Sequence, residues 1–182
     1  ASITSKMHLI GPGVIEGLAK AGELAEAGYQ GVVIWSPDDV FSAGANLESL
    51  LPVFMKSGAK GIAPIVKELQ DTMLRLRYAH VPVVAAVRGL ALGGGCEIAL
   101  ACDRRVAHME SYVGLVEVGV GLLPAGGGLT YIARRAAERA PAGADLLPFL
   151  KDSFQAAAMA TVGTSALESR KLGYLLDSDV IV

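Results

Sequence analysis

Apolar residues follow helical spacing in some stretches of the chain and form continuous β-branched runs in others. Val14–Gly28 carries apolar residues at helical intervals and predicts a first helix, which ends on a glycine suited to a C-terminal cap. Gly31–Trp35 is a run of the kind found in strands that are buried on both faces. Ser36–Asp39 then gives a turn signal, so a strand followed by a turn is predicted here.

The same alternation continues to the last residue. Residues 47–78 predict a mostly helical segment with a break near Ser57–Gly58 and Gly61, and Val81–Val87 repeats the buried-strand pattern. Further helices are predicted at 94–102, 129–140, 144–160 and 165–171, and further short strands at 105–108, 112–115 and 179–182. Alternating helices and apolar strands predict an α/β fold with parallel strands and crossover helices.

Composition places the chain among folded proteins with a sizeable core. It has 182 residues, 52% of them hydrophobic and 19% charged, with a formal net charge of −2. These values exclude an intrinsically disordered chain, and the near-neutral charge removes the electrostatic footprint of a general nucleic-acid binder. Cys96 and Cys102 stand in one apolar stretch at a spacing unsuited to a disulfide, so we expect a reducing, cytoplasmic setting.

Val81–Cys102 is long enough by count to cross a bilayer. Arg88 and Glu97 argue against this interpretation, because a charge near the bilayer centre costs about 3 kcal/mol. Gly93–Gly95 would also be a poor helix interior. The segment is therefore interpreted as two short buried elements joined by a glycine turn, with no membrane span.

Metal and nucleotide sites find little support in the sequence. His8, His80 and His108 are far apart, and none has a partner at a metal-ligand spacing, so no metal is expected. Gly119-Val120-Gly121 begins like a dinucleotide fingerprint, but Pro124 occupies the third glycine position and no strand-turn-helix unit frames it. No Walker-type phosphate loop is present either.

Two glycine-rich turns, each leading into a predicted helix, carry the candidate chemistry. They are Phe41–Leu47 (FSAGANL) and Gly93–Glu97 (GGGCE). The first turn of a helix has unpaired N–H donors and the positive end of the helix dipole, so two such turns facing one cavity could hold an oxyanion. Taken singly, such a turn is more often only a packing device.

Together these segments resemble the crotonase, or enoyl-CoA hydratase/isomerase, superfamily. FSAGANL resembles its first oxyanion motif, PVVAAVRGLALGGGCEIALACD its second, and YVGLVEVGVGLLPAGGGL the segment with its second acid. The likeness runs from about Val14 to Val182. It implies a crotonase-like spiral of ββα units with flanking helices, assembled as trimers or dimers of trimers. We expect one domain over residues 1–182, truncated at both ends.

The resemblance also assigns roles to individual residues. It puts the oxyanion donors on the backbone N–H groups of Ala45 and Gly94, and the two catalytic acids on Glu97 and Glu117, which are twenty positions apart as in the family's hydratases. Ala43 and Leu47 would contact the adenine of CoA through their backbone carbonyls. These six assignments and the retention of both acids imply hydration of a trans-2-enoyl-CoA to a 3-hydroxyacyl-CoA.

Lys6, the terminal lysine nearest the first strand, is a weaker candidate for contact with the CoA phosphates, because such a lysine is commonly just solvated. Three positions depart from the family pattern. Asn46 stands where Asp is common, Val116 where Pro is frequent, and Gly128 where Thr is usual.

The segment 136–154 is longer than the corresponding connection in simple hydratases. In that respect the chain resembles the hydratase part of multifunctional fatty-acid oxidation proteins that also carry a 3-hydroxyacyl-CoA dehydrogenase. This resemblance implies that NAD would bind only in such a dehydrogenase module. It also implies that the partners of this chain are further domains or further copies of the chain. An enoyl-CoA isomerase, an acyl-CoA hydrolase and a catalytically silent acyl-CoA-binding domain stay open as alternatives.

Overall fold

The computed structural model describes residues 1–182 as one parallel sheet with six α-helices. The strands are β1 (Val32–Ile34), β2 (Val40–Ser42), β3 (Val83–Leu92), β4 (Arg104–Gly114) and β5 (Val180–Ile181). The helices are α1 (Pro12–Gly28), α2 (Leu47–Arg77), α3 (Gly94–Ala101), α4 (Gly128–Arg139), α5 (Leu147–Ala158) and α6 (Ala166–Lys171). Two 3₁₀ helices, Lys6–His8 and Glu117–Val120, complete the set.

β3 is the centre of the sheet. β4 pairs with it along almost its whole length, so β1 and β2 share its other edge, β1 beside Val83–Ala85 and β2 beside Gly89–Ala91. The chain therefore runs along one edge of β3 as it passes from β1 to β2. Gly89 on β3 allows the backbone of Asp39 to approach closely, because its φ is +59° and a Cβ there would overlap the carbonyl oxygen of Asp39.

The predicted α/β class and parallel pairing are confirmed, and several details of the prediction are wrong. β2 was expected as part of a glycine turn, and β4 is one strand where two were predicted. β1 is not buried on both faces, because Val33 is 49% exposed. Helix α1 ends on Gly28 without a left-handed glycine cap, and Tyr29 continues in extended conformation.

Helix α2 contains the predicted break. Gly58 adopts φ +58°, outside the helical region, whereas Gly61 continues the helix. Asn46 begins the helix as its N-cap, with its side-chain oxygen accepting a hydrogen bond from the amide of Ser49 at 3.3 Å. None of the helices is both long enough and apolar enough to cross a bilayer.

Helix α3 lies at the centre of the core. All eight of its residues are buried, and it packs against β3 and between α2 and α4. A helix that is apolar on nearly every face can be stable only in such a position. Cys96 and Cys102 belong to this region as buried free thiols. The one acid on α3, Glu97, is therefore drawn into the interior.

A buried ion pair joins the last strand to the core. Nε of Arg105 lies 2.8 Å from Oδ2 of Asp179, with side chains 1% and 0% exposed. Asp179 also accepts hydrogen bonds from the amides of Arg105 and Leu176, and Arg105 donates to the hydroxyl of Tyr131 and to the carbonyl of Cys102 at the end of α3. Residues 74 positions apart in sequence are thus tied together beneath α3.

Candidate active site

Three loops meet at one edge of the sheet. β2 leads through residues 43–46 into α2, β3 leads through Gly93 into α3, and β4 leads through residues 115–116 to Glu117. The strands are parallel neighbours, with Ser42 opposite Ala91 and Leu92 opposite Gly114. Because the carboxyl ends of parallel strands share one edge, these loops are adjacent, in the place where α/β sheets bind ligands.

The first two loops bring the amides of Ala45 and Gly94 together. A Cβ placed on Gly94 would lie 3.9 Å from the amide nitrogen of Ala45. Gly44, the residue before Ala45, has φ +100°, and a Cβ on it would lie 3.0 Å from the carbonyl oxygen of Leu92. Neither amide donates to a backbone carbonyl in the loops or caps. Two free, neighbouring donors of this kind can bind an oxyanion.

Ser42 holds these two loops in contact. Its buried hydroxyl donates to the carbonyl of His8 at 2.7 Å and accepts from the amide of Gly44 at 3.2 Å. A Cβ on Gly95 would stand 2.7 Å from the Ser42 Cβ, so only glycine lets α3 approach β2 this closely. Sequence reasoning did not single out Ser42, since its role depends on contacts with a segment 34 positions away.

Glu97 is buried on the first turn of α3. Its Oε1 accepts a hydrogen bond of 2.9 Å from the amide of Gly128, at the start of α4. Gly126 and Gly128 leave it room, because a Cβ on Gly126 would come within 2.5 Å of the Glu97 Oε2 atom. Burial raises the pKa of Glu97 to about 7, against the lowering effect of the Gly128 amide and with a further rise from nearby Glu117.

Glu117 reaches the same place from the end of β4. A Cβ on Gly93, the residue before α3, would lie 3.3 Å from its Oε1. Its Oε2 is buried and has no hydrogen-bond partner. Burial raises the pKa of Glu117 as well. The predicted pair of acids, twenty positions apart in sequence, is therefore brought together beside the two free amides.

Comparison with known proteins bears on this arrangement. A family model described as enoyl-CoA hydratase/isomerase matches residues 10–164. The chain belongs to the enoyl-CoA hydratase/isomerase family. A Bacillus subtilis protein named as a probable 3-hydroxyacyl-CoA dehydrogenase is 37% identical over 177 residues, 97% of this chain and 22% of that protein. The peroxisomal bifunctional enzyme of Cavia porcellus is 37% identical over 130 residues, 70% of this chain and 17% of the enzyme.

Solved structures of the family share the fold. An enoyl-CoA hydratase from Polaromonas superposes with a TM-score of 0.80 at 26% identity, over 99% of this chain and 65% of that one. The chain thus spans about a fifth of the length of the curated relatives and under two thirds of this solved structure. The predicted crotonase-type fold and the likeness to multifunctional fatty-acid oxidation proteins are confirmed.

The remaining candidate residues lie around this edge or away from it. Ala43 is half-buried, with its amide donating to the carbonyl of Met7 at 3.2 Å, and Leu47 is 40% exposed at the start of α2. Lys6 is exposed in the first 3₁₀ helix. His8 is buried and pairs through Nε2 with Asp38 at 3.1 Å. No three His, Cys, Asp or Glu side chains are grouped to hold a metal ion.

Proposed function

We propose that this enoyl-CoA hydratase/isomerase family member hydrates trans-2-enoyl-CoA thioesters to 3-hydroxyacyl-CoA thioesters. The observation that carries the proposal is the meeting of the buried Glu97 and the half-buried Glu117 with two unpaired backbone amides at one edge of the sheet. Hydration needs these four groups, because it develops negative charge on the thioester oxygen and moves two protons.

In the proposed reaction, the thioester oxygen accepts hydrogen bonds from the amides of Ala45 and Gly94. Water attacks C3 and loses a proton to one glutamate, while the π electrons move through C2 and C1 onto the thioester oxygen. The enolate then collapses, and C2 takes a proton from the other glutamate. One carboxyl must therefore be ionised while its partner is protonated.

The hydrogen bonds favour one division of these roles. Oε1 of Glu97 accepts from the Gly128 amide, which stabilises its ionised form, so we assign Glu97 as the base. Oε2 of Glu117 is buried without a donor, and burial raises the pKa of this carboxyl against the lowering effect of the Glu117 and Val116 amides, so we assign Glu117 as the acid. After each turnover the protons return to this distribution by exchange with water.

For CoA we propose contacts at the backbone carbonyls of Ala43 and Leu47, which stand two positions on either side of Ala45. We further propose a role in fatty-acid β-oxidation within a protein that also dehydrogenates the 3-hydroxyacyl product. The names of the multifunctional relatives support this, and the hydration itself requires no cofactor. NAD would be needed only by a dehydrogenase module.

The test is an assay of the purified chain with trans-2-enoyl-CoA, in which turnover is measured as the loss of absorbance of the conjugated thioester. Glu97→Gln and Glu117→Gln should each lower kcat by about 10² to 10⁴. Glu110→Gln is the control, because this exposed glutamate on β4 stands apart from the site. Turnover of 3-enoyl-CoA or saturated thioesters in place of 2-enoyl-CoA would contradict the proposal, as would full activity in both site variants.

A further inference from the structure

The loop that supports Glu97 has few bonds of its own. Between Leu123 and Gly127, ahead of α4, no amide donates a hydrogen bond to a backbone carbonyl, and Gly127 accepts one from Tyr131 at the start of the helix. Three consecutive glycines, Gly126–Gly128, also lack side chains that could anchor the loop. A backbone of this kind has many accessible conformations and needs outside contacts to hold one of them.

Gln70 supplies such a contact. It lies on the second half of α2, and its Nε2 donates a hydrogen bond of 2.7 Å to the carbonyl of Ala125, 55 positions away. The neighbouring Leu69 packs on the same loop, since its Cδ2 would stand 3.0 Å from a Cβ on Gly126. At the far end of α2, Arg77 donates to the carbonyl of Leu100 and ties the helix to α3. Gln70 therefore fixes the loop to a helix that is itself fixed to α3.

The position of this loop matters to Glu97. The Gly128 amide bonds to Oε1, and the amides of Gly126 and Gly127 also lower the pKa of the carboxyl. The other group that faces Glu97 is Glu117, while the adjoining Cys96 is a buried thiol whose pKa is raised by burial, so it stays neutral. Movement of the loop away from α3 would leave Glu97 buried with fewer donors and with Glu117 unchanged.

We propose that Gln70 is a positioning residue for the reaction: by fixing Ala125 it holds the amides of Gly126–Gly128 against Glu97 in the working orientation. This role rests on the proposed hydration, and it places Gln70 outside contact with the substrate. The expected consequence of losing Gln70 is a carboxyl that is less well oriented and ionises at higher pH.

The experiment compares four variants. Gln70→Met keeps the approximate shape without a donor, and Gln70→Glu puts a carboxylate against the Ala125 carbonyl. Gln70→Lys restores a donor that can reach this oxygen. Lys67→Met is the matched control, because Lys67 lies on the same helix in an exposed ion pair with Asp71. Each variant is assayed for kcat and KM across pH, and for thermal unfolding.

Gln70→Met and Gln70→Glu should lower kcat about tenfold with little change in KM, and should move the acid limb of the kcat profile to higher pH. Gln70→Lys and Lys67→Met should stay near the wild type. Unchanged kcat and acid limb in folded Gln70→Met would overturn the proposal, even if its melting temperature fell. If Gln70→Met does not fold, the comparison of Gln70→Glu with Gln70→Lys decides.

A second readout does not depend on activity. Carbon-13 NMR of the Glu97 carboxyl should give a higher pKa in Gln70→Met than in the wild type, and the same value in Lys67→Met. If the wild type hydrates no enoyl thioester, the proposed function fails, yet this titration still decides whether Gln70 positions Glu97. Equal Glu97 titration curves in the three proteins would overturn the positioning role.

Discussion

The amide of Gly128 and Oε1 of Glu97 are joined by a hydrogen bond of 2.9 Å that crosses 31 positions of sequence. It is the chief force opposing the effect of burial on this carboxyl, because burial favours the neutral acid and the amide favours the carboxylate. The balance leaves the pKa of Glu97 at about 7. A general base with a pKa near the working pH combines a useful ionised fraction with useful basicity.

Turnover should therefore depend on pH in a predictable direction. If Glu97 is the base, kcat for hydration rises as pH increases through about 7, the pKa of Glu97. Glu117 must keep its proton for transfer to C2, and burial raises the pKa of its carboxyl in the direction that favours this. The measurement is kcat at saturating substrate between about pH 5 and about pH 9, two units on either side of the pKa of Glu97. A flat profile below pH 7 would contradict the assignment of Glu97.

Glu97→Gln should make the protein more stable while removing activity. The folded pKa of about 7 lies above the ordinary value of 4.5, so the folded state binds more protons than the unfolded state between these values. Stability therefore falls as pH rises from 4.5 to 7, and above pH 7 the wild type carries the full cost of a buried carboxylate.

Glutamine carries no such cost and can still accept from Gly128. We expect Glu97→Gln to raise the free energy of unfolding by about 2 kcal/mol at pH 8, with the difference shrinking toward pH 4.5. Urea unfolding at the two pH values measures this. A variant that is less stable than the wild type at pH 8 would show that Glu97 is not held at a cost.

Gly94→Ala should reduce catalysis more than it reduces stability. The added Cβ meets the flexible end of Ile10 at 2.9 Å and stands 3.9 Å from the Ala45 amide, in the space where an oxyanion would bind. We expect kcat/KM to fall about 10²-fold, comparable to the loss of one oxyanion donor. The double variant with Ile10→Val relieves the packing contact and should recover stability without recovering activity. Recovery of both would point to packing as the cause.

The Arg105–Asp179 pair should show strong coupling. Arg105→Met leaves a buried carboxylate, and Asp179→Asn leaves a buried guanidinium, so each should cost about 3–5 kcal/mol. The double variant should cost clearly less than the sum, with a coupling energy of about 2 kcal/mol or more. The exposed Arg88–Asp39 pair, 62% and 79% exposed, is the control, with an expected coupling below about 1 kcal/mol. Urea unfolding of both double-mutant cycles measures the difference.

Local signals in the sequence predicted the α/β class, most helices and the two glycine turns. They did so because apolar periodicity and glycine turns are local properties, which Val14–Gly28 and Gly93–Glu97 display strongly. β2 was missed because three residues between Asp38–Asp39 and an Ala-Gly turn give too short a pattern. Its strand character comes from pairing with β3, which lies far along the chain.

The support of the site escaped sequence reasoning for a similar reason. Gly128 was noted only as a departure from the family pattern, although its amide contacts Glu97 and a Cβ there would stand 2.8 Å from Leu115. The contact between Gln70 and Ala125 joins a polar helix position to a loop 55 positions away. Nothing local marks such a partner. The run Gly126–Gly128 was the available signal that backbone amides, and not side chains, contact Glu97 in this loop.

The ion pair beneath α3 also bears on the order in which the protein can be made. Arg105 and all of the candidate site are synthesised before Asp179, the residue that neutralises the Arg105 guanidinium. A growing chain that ends before this position would have to bury an unpaired charge under the helix that carries Glu97. The active site is therefore expected to mature only after β5 has left the ribosome and docked on β4.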